Sequence, residues 1–131
     1  MKKNIIAISI IVVCVVISGI FLFSDNNKEN SENSTASNIS IVDGKQIITI
    51  NAKGGYLPRV TAAKAGIPTV INMKTQGTFD CSSSLTIPTL NWRNNLPPSG
   101  ETLIDVPAQN PGATLQGICS MGMYNFSINF N

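Results

Sequence analysis

"YNFSINFN", residues 124–131, alternates without a break: Tyr124, Phe126, Ile128 and Phe130 are apolar, and Asn125, Ser127, Asn129 and Asn131 are polar. A period of two puts all four apolar side chains on one face of an extended chain. Wound into a helix, the same residues would scatter around the axis. The segment therefore reads as a half-buried β-strand with one aromatic-aliphatic face.

The same period recurs upstream. Ile48 and Ile50 alternate with Thr49 and Asn51, and Val70 and Ile71 follow the turn signal AGIP at 65–68. Leu103, Ile104, Asp105 and Val106 make a further short strand after PPSG at 97–100. The Gly- and Pro-bearing clusters GGYLP, AGIP, LPPSG and QNPG punctuate the chain between these runs. No stretch of 40–131 sustains a 3.6-residue period over three turns. The expected fold is all-β, a small antiparallel β-sandwich with Greek-key connections.

The N-terminal part of the 131-residue chain is of another kind. Residues 5–23, IIAISIIVVCVVISGIFLF, carry no charge. At helical rise they would span roughly 28 Å, close to the hydrocarbon thickness of a bilayer. A cleaved signal and a lipoprotein are the alternatives to a membrane anchor. However, the run ends in FLFSDNN, without small residues for cleavage, and Cys14 follows Val12-Val13 in mid-run. Residues 24–39 are almost wholly polar and bury too little to offset their ordering entropy, as in a flexible tether. The organisation read from the chain is an anchor over 1–23, a tether over 24–39 and one domain over 40–131.

Charge narrows the partners. The domain carries Lys45, Lys53, Arg59, Lys64, Lys74 and Arg93 against Asp43, Asp80, Glu101 and Asp105, a net of +2 spread without a basic run. That pattern is not a nucleic-acid footprint. Nor does it read as an enzyme. The chain has no histidine, no nucleophile beside a base, no carboxylate pair in a motif and no C-x-x-C.

What remains is sulfur. "ICSMGMY", residues 118–124, holds Cys119, Met121 and Met123 at i, i+2, i+4, a spacing that in an extended chain faces three sulfur atoms one way. Cys81, in FDCSSS, lies 38 positions earlier, and the loops of a sandwich can bring it to the same pole. Two thiolates and two thioethers are soft ligands that select Cu(I), or Ag(I) as its surrogate. Zinc disfavours thioether, and a blue Cu(II) centre needs the histidines this chain lacks. Calcium, magnesium and iron–sulfur clusters also lack their ligands. Two plainer readings stand beside this one: a structural Cys81–Cys119 disulfide in an exported interaction module, and Met121 and Met123 as core fillers. Met73 reads as core, and Trp92 as a cover for the core or a shield for the site.

Three stretches together, GGYLPRVTAAKAGIPTVINM (54–73), FDCSSSLTIPTLNWRNNLPPSGETLIDVPAQNPG (79–112) and GICSMGMYNFSINF (117–130), resemble the cupredoxin-like domains with a Cys-x-Met-Gly-Met loop. With the apolar run in front, the chain is similar to the membrane-anchored Cu(I) chaperones of Gram-positive bacteria, the CupA type. The resemblance covers about residues 52–131, and the anchor separately. It implies a cupredoxin sandwich without histidines that holds Cu(I), as one or two ions per chain. By that likeness Cys81 and Cys119 would grip the tighter ion, and Met121 and Met123 would hold a second more weakly. It also implies that Cu(I) passes to a copper-exporting P-type ATPase, in a copper-resistance role at the cell membrane.

The side of the membrane is argued both ways. Lys2 and Lys3 before the span against Lys28 behind it direct the domain outward by the positive-inside rule. Delivery to an intracellular metal-binding domain, and thiols kept reduced, direct it inward.

Overall fold

The computed structural model describes residues 38–131. The anchor expected over 1–23, and the tether as far as residue 37, lie outside the described residues. Among the described residues no helix is long and apolar enough to cross a membrane.

The described residues form ten strands: β1 (Ile39–Val42), β2 (Lys45–Ala52), β3 (Tyr56–Leu57), β4 (Val60–Ala63), β5 (Thr69–Gln76), β6 (Ser84–Ile87), β7 (Trp92–Asn95), β8 (Ser99–Val106), β9 (Thr114–Cys119) and β10 (Asn125–Phe130). Two short 3-10 turns, Cys81–Ser83 and Pro88–Leu90, flank β6. The first sheet has the order β1-β2-β5-β8 with β3 on β2, and the second has the order β4-β10-β9-β6-β7. β1 starts at Ile39, one residue before the expected domain boundary. Asn38 ties this entry down, donating from Nδ2 to Thr49 O (3.2 Å) and to Thr61 Oγ1 (3.0 Å).

Period two decides which side chains meet between the sheets. Ile48, Ile50 and Ala52 of β2, Ile71 and Met73 of β5, and Ile104 and Val106 of β8 are buried from one side. Leu85 and Ile87 of β6, Leu115 and Cys119 of β9, and Phe126, Ile128 and Phe130 of β10 are buried from the other. In-register rows such as Ile48–Ile71–Ile104 carry this face across the first sheet. Met73 is fully buried, as expected of a core residue, and Trp92 packs half-buried against the core. Gln46 is buried too, but it is satisfied. Its Nε2 donates to Thr69 Oγ1 (3.1 Å) and its Oε1 accepts from Lys64 N–H (2.9 Å), so burial costs little.

The sandwich is not wholly antiparallel, which corrects the sequence expectation. β2 pairs with β5, and β4 with β10, in parallel. The chain leaves β2, crosses to the other sheet as β4 and returns as β5. Such a crossover brings β5 alongside β2 in the same direction. Alternation within a strand is blind to this, because pairing direction is set by the route between strands.

Candidate metal centre

β9 delivers Cys119 to one end of the core, where the side chain is fully buried. The strand then stops. Gly122 N–H donates to Cys119 O (2.9 Å), Cys119 N–H donates to Tyr124 O (2.9 Å), and Gly122 adopts φ +73°, which suits glycine. Residues 120–123 are therefore a closed turn between β9 and β10. The extended i, i+2, i+4 arrangement expected for Cys119, Met121 and Met123 is replaced by it. Cys119 points inward, whereas Met121 and Met123 stand on the surface, 76% and 64% exposed. Neither methionine is a core filler. Met123 also borders a recess of about 310 Å³ that it shares with Leu57, Tyr56 and Tyr124.

Cys81 comes from the far side of the sequence, on the 3-10 turn between β5 and β6. Asp80 holds that turn. Its Oδ1 accepts from Ser82 N–H (2.8 Å) and from the Ser82 hydroxyl, and its Oδ2 accepts from Gly54 N–H. The Ser82 hydroxyl chiefly holds the Asp80 carboxyl below the usual carboxylate range. Partial desolvation opposes it, and the Ser82 and Gly54 amides add to it. The Tyr56 hydroxyl donates to Ser82 O (3.1 Å) from beneath. Its ring meets Phe126 edge-on, with centroids 5.3 Å apart and planes at 77°. Burial first, and then the Asp80 charge, push the Tyr56 phenol up to about 12. The aromatic face of β10 is thus linked through Tyr56 and Ser82 to the turn that carries Cys81.

The structure joins Cys81 to Cys119 through their sulfur atoms, with Cα atoms 5.8 Å apart across a sequence separation of 38. Cys119 Sγ also accepts from Tyr124 N–H (3.3 Å). Cys81 is half-buried and Cys119 wholly so. The four sulfur residues singled out in the sequence therefore gather at one pole, as a bonded cysteine pair and an adjoining exposed Met-Gly-Met turn. Among the described residues no three His, Cys, Asp or Glu side chains converge as a metal cage.

Sequence reading passed over the frame of the site. Tyr56 stands in GGYLP, which reads as a turn, yet it is buried. The signal for Asp80 was present: an Asp two residues before a Ser at the start of a turn is a capping pattern. Gly117 was also passed over. A Cβ there would overlap Cε1 and Cζ of Phe126, so the glycine is what lets the ring lie across β9.

A two-sheet β-sandwich with a cysteine pair at one pole and a methionine-bearing turn between its last two strands is a cupredoxin-like architecture. The chain belongs to the cupredoxin-like domain family, whose model matches residues 12–127. No curated protein matches it. Among solved structures it is similar to the metal-binding domain of the Streptococcus pneumoniae D39 Cu(I)-exporting P-type ATPase CopA, solved with Cu(I). The identity is 24% and the TM-score 0.63, over 71% of this chain and 92% of that one. It is also similar to a copper-binding protein solved in solution in its apo form, at 20% identity and a TM-score of 0.64, over 71% and 94% of the two chains.

Proposed function

We propose that the chain is a membrane-anchored Cu(I) chaperone and buffer for copper resistance, and not an enzyme. Cu(I) is its cargo. In this reading Cys81 and Cys119, reduced, supply two thiolates, and Met121 and Met123 supply thioethers, for one ion or two. The observation that carries the reading is the meeting of Cys81 with Cys119 beside an exposed Met-Gly-Met turn. Core methionines would be buried; these are displayed. Membership of the cupredoxin-like family supports it, as does the likeness to the metal-binding domain of a Cu(I)-exporting ATPase and to a copper-binding protein.

The ligand types suit transfer. Paired thiolates hold a soft ion firmly, and neutral thioethers release one without taking up a proton. An exposed methionine turn can reach an acceptor before the cysteines let go. The proposed acceptor is a copper-exporting P-type ATPase, and the apolar run over 5–23 would hold the domain at the membrane beside it.

The joined sulfurs favour a second reading, in which the pair is a structural disulfide of a tethered interaction module. Titrating the reduced full-length chain in detergent with Cu(I), against a competing chelator, separates the two. Tight uptake is expected. It should be abolished by Cys81→Ser, and reduced by a weaker equivalent alone in Met121→Ala/Met123→Ala. A reduced chain that takes up no Cu(I) leaves the interaction module as the reading.

A further inference from the structure

The two bonded cysteines are unequal. Cys119 is fully buried at the end of β9, its sulfur already engaged by the Tyr124 N–H at 3.3 Å. Cys81 keeps part of its surface on the 3-10 turn. Thiol–disulfide exchange requires a thiolate to approach along the S–S axis, from behind the sulfur it attacks. Cys119 is wholly buried, so Cys81 is the accessible end of the bond, and attack there makes Cys119 the leaving group.

We propose that the Cys81–Cys119 bond is an exchangeable gate, attacked at Cys81 Sγ by an external thiol and opened by departure of the Cys119 thiolate. The balance is simple. A thiolate RS⁻ bonds to Cys81 Sγ as the S–S bond breaks, and its electron pair leaves on Cys119, where the Tyr124 amide donates to it. A second RS⁻ then displaces the Cys81 thiolate and departs as RSSR. The reductant is any low-molecular-weight thiol or dithiol, oxidised by two electrons overall. The consequence for Cu(I), which rests on the function proposed above, is that the oxidised pole refuses the ion and the opened pole accepts it.

The test uses the full-length chain in detergent, in its disulfide form, with Cys14 first alkylated. The folded protein is exposed to cysteamine, then quenched in an unfolding solution of N-ethylmaleimide, and the adducts are mapped by mass spectrometry. Cysteamine should be found on Cys81 and maleimide on Cys119, with the reverse labelling rarer by about tenfold or more. Equal labelling, the reverse, or no adduct until the chain is unfolded each overturns the gate. The oxidised and opened chains are then compared for Cu(I) uptake from a chelator. Uptake by the opened chain alone is expected. Equal uptake by both overturns the gating. Uptake by neither, with Cys81 labelled as expected, leaves the exchange standing and sinks the copper reading instead.

Discussion

At the scale of the residue, the sulfur pole depends on a side chain that contributes no sulfur to it. Tyr56 donates its hydroxyl to Ser82 O, beneath the turn that carries Cys81. Burial makes its phenolate costly, so its ionisation is pushed up to about 12, whereas an unfolded chain ionises near the ordinary value of about 10. Between those values the unfolded chain has lost a proton that the folded one keeps. The Tyr56 contribution is therefore fully present below about pH 10 and is lost as pH rises to about 12. Thermal melts of the chain and of Tyr56→Phe through this window should converge as pH rises. At neutral pH the variant should be weaker by about 1 kcal/mol, for the lost hydrogen bond. Melting curves that stay parallel from neutrality to alkali would remove Tyr56 from this role. None of this was legible in the sequence, where a tyrosine between two glycines and a Leu-Pro reads as a turn residue; its burial comes from β10 lying over it.

At the scale of the element, β9 and β10 form the arm that holds Cys119 and the methionine turn. The alternation of residues 124–131 announced β10 in full, because a strand with one face in a core must alternate. What followed Cys119 was not announced. Sulfur at i, i+2, i+4 is the same pattern whether the backbone is extended or turned, and the hydrogen bonds between Cys119 and Gly122 decide for the turn. The arm has one narrow point. Gly117 lies two residues before Cys119 and opposite Phe126 in register, with the Phe126 ring occupying the space of its missing Cβ. Gly117→Ala must push that ring away, with Tyr56 behind it. Overpacking of this kind costs about 1–3 kcal/mol, so the expected result is a clear fall in the denaturation midpoint. Because the displaced ring supports both Tyr56 and the end of β9, Cu(I) retention should weaken along with stability. A variant as stable as the parent would show that Phe126 has room to move.

At the scale of the whole molecule, bringing Cys81 to Cys119 is the feature that joins the fold to the proposed function; the sequence named the pair, but nothing in its local spacing required the two to meet. Both cysteines were visible as candidates, but their meeting depends on β6 pairing with β9, where Leu85 stands opposite Cys119. That pairing is long-range and leaves no mark in local spacing. Its energetic weight follows from the loop it closes. A bond across 38 residues restricts the unfolded chain, by an amount that for such loops is about 2–4 kcal/mol. In a domain of this size, reduction should lower the melting temperature by about 10–20 °C. A Cu(I) held by both thiolates recloses the same loop through the metal and binds the folded state alone, so it should return much of that loss. The expected order of melting temperature is disulfide form highest, Cu(I)-loaded reduced form next, and metal-free reduced form lowest. Cys81→Ser should show no rise with Cu(I), since it cannot close the loop by either route. Met121→Ala/Met123→Ala should keep most of the rise, because an ion on the turn alone ties Cys119 to nothing distant. Calorimetry of the three forms reads this order directly. A reduced chain that melts at the same temperature with and without Cu(I) would show that the ion does not bridge the two cysteines.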